Sequence, residues 1–164
     1  MPWNKEIGKK SLDEQVNQIF CELVNGFTKQ TLVFDIGGCA DKGLYTFVSK
    51  AAYEKISVDE KLRKCLTDEG IKYCSQLTKQ LTIEHCVPTD YVYQELKKEK
   101  TITKRKVKKV LETLKIAVIT KEENKRLNAM FKSIMPNGWK WDDNILARYE
   151  NLEQKIEIIN LEFK

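Results

Sequence analysis

A single histidine, His85, occurs in the 164 residues, and that scarcity rules out a site assembled from several imidazoles. Cysteine occurs five times, at 21, 39, 65, 74 and 86, but never as a Cys-x-x-Cys pair, so a zinc knuckle has no ligands here. An odd number of scattered cysteines reads as reduced, partly buried thiols of an intracellular chain. No apolar run approaches the roughly 20 residues that cross a bilayer, so no membrane partner is expected. The opening Met1-Pro2-Trp3-Asn4-Lys5 turns polar at once and lacks the apolar stretch of a signal peptide, which points to the cytoplasm. There is no internal repeat and no low-complexity linker.

What is present suits one ordinary domain. Apolar residues make up 41% of the chain and charged residues 32%, which excludes both a disordered tail and a membrane protein. A chain of this length buries a core without staples. The net charge of +5 is modest, but its distribution is uneven. From Lys97 to Lys109 the sequence KKEKTITKRKVKK carries eight basic residues and one acid. Such density suits phosphate binding, because each neutralised phosphate releases counterions. A solvated helix face explains the same run equally well.

Capping boxes mark the helices. Ser11-Leu-Asp-Glu14 opens one, and Val16, Ile19, Phe20, Leu23, Val24 and Phe27 then keep helical spacing. Leu32 to Ile36 reads as a short strand stopped by a turn at Gly37-Gly38. From about Tyr45 to Gly70 the chain reads as two helical pieces, the second opened by Ser57-Val-Asp-Glu60 and stopped at Gly70. Leu81 to Val87 is a strand closed by Pro88, and helices are expected over Asp90–Lys98 and Thr103–Leu114. The second of these carries Val107, Val110, Leu111 and Leu114 as an apolar stripe opposite its basic side chains. Ile116 to Ile119 is again a strand, and Thr120-Lys-Glu-Glu123 starts a helix directly after it. Pro136-Asn137-Gly138 ends that helix; a short helix at about 143–152, capped by Asp142 or Asp143, and a strand from Lys155 to Phe163 follow.

The chemistry concentrates in one stretch. His85 lies at the end of a strand in Glu84-His85-Cys86-Val87-Pro88, and the later capped helix carries Asn124 and Asn128 one turn apart. The region from about Leu81 to Asn128 resembles the ββα-metal, or HNH-type, nuclease motif, including the Glu-His-Val-Val-Pro start of some small phage and bacterial HNH-like proteins. The resemblance implies a divalent ion held by an acidic residue and a helix-borne asparagine, with a histidine activating water against a phosphodiester. Carried over, His85 matches the general base, Glu84 the acidic ligand, and Asn128 or Asn124 the helix ligand. An imidazole that titrates near neutrality suits the base role, and hard oxygen ligands suit Mg²⁺ or Mn²⁺.

These readings converge on an α+β chain, mostly helical, with a small sheet and an embedded ββα unit. A single domain over 1–164 is expected, with a helical part at about 11–80, the ββα unit at about 81–134, and a C-terminal helix and strand at about 143–163. The expected function is metal-dependent hydrolysis of nucleic acid, DNA before RNA. Lys97, Lys98, Lys104, Arg105, Lys106, Lys108, Lys109 and Arg148 are the phosphate contacts, although a surface salt bridge accounts for Arg148 as readily. A second reading is a non-catalytic phage- or defence-associated factor that uses its basic face on nucleic acid or nucleoprotein, with His85 merely structural. A third is a metal-free, toxin-type ribonuclease using His85 with a lysine or arginine. Trp139 and Trp141 are either base-stacking residues or, more commonly for aromatics after a helix, core or lid.

Overall fold

The computed structural model describes residues 13, 14, 16, 17, 20, 21 and 44–163. The six early residues are helical, as the spacing after Ser11 requires, and Val16 is buried. The Ser11 cap, the strand expected at 32–36 and the Gly37-Gly38 turn lie outside the described residues.

From residue 44 onward the elements are β1 (Leu44–Tyr45), β2 (Phe47–Ser49), α1 (Lys50–Val58), α2 (Glu60–Arg63), β3 (Leu66–Thr67), β4 (Gly70–Lys72), α3 (Ser75–Gln80) and β5 (Leu81–His85). Then come α4 (Thr89–Lys97), α5 (Lys104–Thr113), β6 (Ile116–Thr120), α6 (Lys121–Phe131), α7 (Ala147–Glu150), β7 (Ile158–Asn160) and a closing 3₁₀ turn. The architecture is mixed α+β with small sheets.

The larger sheet has the order β5-β6-β2-β7. Its central strands β2 and β6 are parallel, while β5 and β7 run antiparallel to their neighbours. Because side chains alternate along a strand, each strand feeds two cores. Val48, Leu81 and Val118 face one side, where they pack with Ala52 and Ile56 of α1, Leu62 of α2 and Leu77 of α3. Ala117 and Ile119 face the other side, against Leu127 and Phe131 of α6 and Tyr149 of α7. Helices thus cover both faces. A third cluster joins α4 and α5 through Val92, Leu96, Val107, Val110 and Leu111, with Met135 and Trp139 closing it.

Several expectations are corrected here. The stretch from Tyr45 is not helical until Lys50, because Phe47–Ser49 supplies the sheet with its inner strand. Ser57 is not a cap: it sits inside α1, where its hydroxyl donates to Tyr53 O at 2.8 Å. Asp59, in extended backbone, caps α2 instead, accepting from Lys61 N at 2.8 Å and Leu62 N at 3.1 Å. Gly70 stops no helix but opens β4 at φ +146°, where a Cβ would meet Tyr45 O at 2.8 Å; only glycine lets the β1 backbone approach so closely. Asp143 receives Lys140 N rather than capping α7, which starts from Leu146 without a side-chain cap. The final strand shrinks to Ile158–Asn160.

The reduced-thiol reading fails for one pair: Cys65 and Cys74 form a disulfide. The β3–β4 hairpin, with Leu66 opposite Ile71, folds the chain back between them, and a spacing of nine residues carries no motif that announces this. Cys21 and Cys86 are not disulfide-bonded, and Cys39 lies outside the described residues. Among the described residues no helix is long and apolar enough to cross a membrane.

Candidate functional site

The ββα order expected from the sequence is built as follows. β5 and β6 pair antiparallel from Leu81↔Thr120 to His85↔Ile116. Cys86 N donates to Lys115 O at 2.8 Å and extends the pairing to where α4 and α5 branch off. At the opposite end of β6, the capping box reverses the chain into α6: Glu123 N donates to Thr120 Oγ1 at 3.1 Å, and Thr120 N donates to Glu123 Oε2 at 2.8 Å. Glu123 is buried and also accepts from Ser49 Oγ, which ties the starts of α1 and α6 together. Helix α6 then lies back along the strand pair, with Leu127 and Phe131 packed on Ala117 and Ile119.

The register separates the two residues on which the site depends. Glu84 is opposite Ala117, so its side chain shares the face covered by α6. His85 is opposite Ile116 and, by alternation, points to the other face. Glu84 meets Arg148, whose Nη1 donates to Glu84 Oε1 at 3.2 Å and to the His85 carbonyl at 2.9 Å. Its Nη2 donates to the Phe131 carbonyl at the end of α6. Arg148 is 0% exposed, so the expected phosphate clamp is instead a buried strut joining β5, α6 and α7. A cation with no exposed surface cannot reach a phosphate in solvent, and that reading is corrected.

Electrostatics follow from burial. Burial pushes the Glu84 carboxyl above its usual range, and the adjacent guanidinium draws it only partly back. Burial, with Arg148 as the second cause, lowers the His85 imidazole from 6.5 to about 4, so it is neutral at physiological pH. The imidazole makes no hydrogen bond among the described residues. The Tyr149 phenol is raised well above 10.0, first by burial and then by Cys86 beside it.

Asn128 lies within one turn of the C-terminal end of α6 that reaches Arg148, whereas Asn124 lies about two turns back. The Asn124 Oδ1 is buried and unpartnered among the described residues. Among those residues, no group of three or more His, Cys, Asp or Glu is placed to hold a metal ion. The donor set as placed does not fit a divalent ion, because Glu84 already carries a fixed cation against one oxygen. Stripping a buried arginine of its carboxylate costs roughly 3–5 kcal/mol.

The basic segment forms the second candidate site. Thr103 caps α5 by accepting from Lys106 N at 3.2 Å, and the apolar stripe of α5 packs against α4, which leaves the opposite side wet. Three of its cations are already paired: Lys98 with Glu95, Lys106 with Glu99, and Lys109 with Asp142. Lys109 holds the exposed Asp142 carboxyl below its usual range. Lys97, Lys100, Lys104, Arg105 and Lys108 are exposed and form no ion pair among the described residues, with Arg105 close enough to Asp142 to help lower its carboxyl. Aromatic rings lie among these cations: Lys97 over Tyr93 at 5.3 Å, Lys104 over Phe20 at 5.8 Å, and Lys106 over Trp141 at 4.5 Å. Of the two tryptophans considered from sequence, Trp139 is core and Trp141 is only partly buried. Sequence reasoning missed the Glu84–Arg148 pair, since 64 residues separate its members and neither carries a local signal. No protein-family model matches the chain, and neither a curated protein nor a solved structure matches it.

Proposed function

We propose that this chain is a nucleic-acid-binding protein whose contact surface is the exposed side of α5 with the end of α4. The observation that carries the reading is the set Lys97, Lys100, Lys104, Arg105 and Lys108, exposed from the end of α4 through the connecting segment into the first turns of α5, with no ion pair among the described residues. Unneutralised cations at that density hold their own counterions weakly and exchange them for phosphates, with release of the counterions condensed on the nucleic acid. Lys98, Lys106 and Lys109 stand at the margin and contribute less, since binding must first break their ion pairs. Replacing Lys100, Lys104, Arg105 and Lys108 together by alanine is expected to weaken DNA binding on the order of 100-fold at low salt, and to reduce the slope of log affinity against log salt by about 3 to 4. Fluorescence anisotropy over a salt series measures both. An unchanged slope in a folded variant removes this face from the contact surface.

A second reading, hydrolysis of the bound polymer, is favoured by one observation: an antiparallel strand pair ending in Glu84-His85 with α6 laid directly across it. The pairing of Glu84 with Arg148 and the depressed basicity of His85 rank it below simple binding, because an imidazole titrating near 4 is a weak proton acceptor. Incubating plasmid DNA and structured RNA with Mg²⁺, Mn²⁺ or EDTA separates the two. Metal-dependent cleavage lost in His85→Ala establishes hydrolysis, and binding without cleavage by either protein leaves the binding reading alone.

A further inference from the structure

We propose, resting on the nucleic-acid reading above, that the α4–α5 surface takes single strands in preference to duplex, with Trp141 as the platform for an unpaired base. Trp141 is partly exposed and is held from beneath by a chain of rings. Its ring lies 6.1 Å from that of Trp139 at 60°, and Trp139 meets Tyr91 edge-on at 5.6 Å and 79°. Trp139 is buried and its Nε1 donates to Asn144 O at 2.9 Å, so the support does not rotate. A ring held this way loses little side-chain freedom when a base stacks on it.

Cations surround that platform. Lys106 Nζ sits 4.5 Å from the Trp141 ring centroid, and Lys109 pairs with Asp142, the next residue. A base and an ammonium compete for one ring face, and Lys106 has a long stem. When a base arrives, the ammonium moves aside to the phosphate of that nucleotide, giving up its cation–π contact and its ion pair with Glu99 for a charge-assisted contact to phosphate. Asp142, beside the ring, is neutralised by Lys109, and Glu99 by Lys106 until that ammonium transfers to the phosphate. A duplex keeps its bases stacked inside and offers this ring only backbone. A single strand offers both base and phosphate, which is the combination that aromatic rings interleaved with lysines recognise.

The test compares a labelled single-stranded oligonucleotide with its duplex, using the full chain as wild type, Trp141→Ala and Trp141→Phe. The single strand is expected to bind about tenfold more tightly than the duplex, and Trp141→Ala to lose about that factor for the single strand with far less change for the duplex. Trp141→Phe retains an aromatic face and is expected to keep most of the affinity, while the quenching of tryptophan emission that accompanies binding disappears. This second variant separates stacking from a packing defect. Equal binding of both forms, unaffected by either substitution, overturns the single-strand inference and leaves the nucleic-acid reading standing. No binding of either polymer at low salt, with binding to an acidic protein surface instead, overturns both.

Discussion

Arg148→Met is expected to destabilise the fold by about 3–5 kcal/mol, the largest loss from any single substitution outside the apolar cores. The reason is what the side chain leaves behind. Arg148 is 0% exposed, and its guanidinium serves Glu84 Oε1, the His85 carbonyl and the Phe131 carbonyl at once. Methionine fills much of the volume but donates nothing. Glu84 then keeps a partly buried carboxyl without its cation, and two carbonyls lose their donor, each loss being worth about 1–3 kcal/mol. Arg148→Lys retains the charge but replaces a planar fork with a point donor, so it recovers only part of the loss. Glu84→Gln combined with Arg148→Met removes the stranded charge and is expected to be less harmful than the sum of the two single changes. Urea unfolding of the four proteins measures the cycle. A loss below about 1 kcal/mol in Arg148→Met would mean that water reaches the site and that the strut is dispensable.

Acidification is expected to weaken the fold through His85 by roughly 3 kcal/mol between about pH 6.5 and pH 4. Its imidazole is held near 4 in the folded chain against an ordinary 6.5. Within that window the unfolded chain binds a proton that the folded chain refuses, so unfolding takes up protons and stability falls as pH falls. Above pH 6.5 both states are neutral and the contribution is flat. Glu84 works the other way, since its raised carboxyl keeps a proton in the folded state to higher pH and so favours folding toward acid. The two partly offset in the wild type, and His85→Gln is therefore the informative comparison. Its stability curve is expected to lose the His85 slope and to diverge from the wild type toward pH 4. Parallel curves across the window would show that the imidazole is freely hydrated. Because Arg148 is the second cause of the shift, Arg148→Met is also expected to move the His85 titration back toward 6.5.

Both residues show why the site was only partly readable from sequence. Glu84 and His85 stand out as a pair, and strand alternation already separates their side chains once a strand is assigned there. What covers each face was not readable. Arg148 belongs to a four-residue helix with no side-chain cap, and nothing near it in the chain announces a carboxylate 64 residues earlier. An arginine beside a tyrosine on a short helix reads as a surface residue because most are. Trp139 and Trp141 are indistinguishable in sequence for a similar reason: two residues apart with one chemistry, they differ only in which of them α4 and α5 enclose.

The fold divides in the same way. The Thr120–Glu123 capping box, the amphipathic stripe of α5, the strand Leu81–His85 closed before Pro88 and the β-branched run at Ile116 each carry their cause within about one helical turn or one strand. The sequence alone therefore determined them, along with the basic density from Lys97 to Lys109. Strands β1 to β4, at two or three residues each, are too short for alternation to register, and they exist only because a neighbour supplies their hydrogen bonds. The parallel pairing of β2 with β6, the Cys65–Cys74 disulfide, the Glu123–Ser49 link and the burial of Arg148 each join residues brought together only by chain reversal. Tertiary structure decided these, because a buried polar group is satisfied by whatever donor the packing places beside it, and that donor leaves no mark in its own stretch of chain.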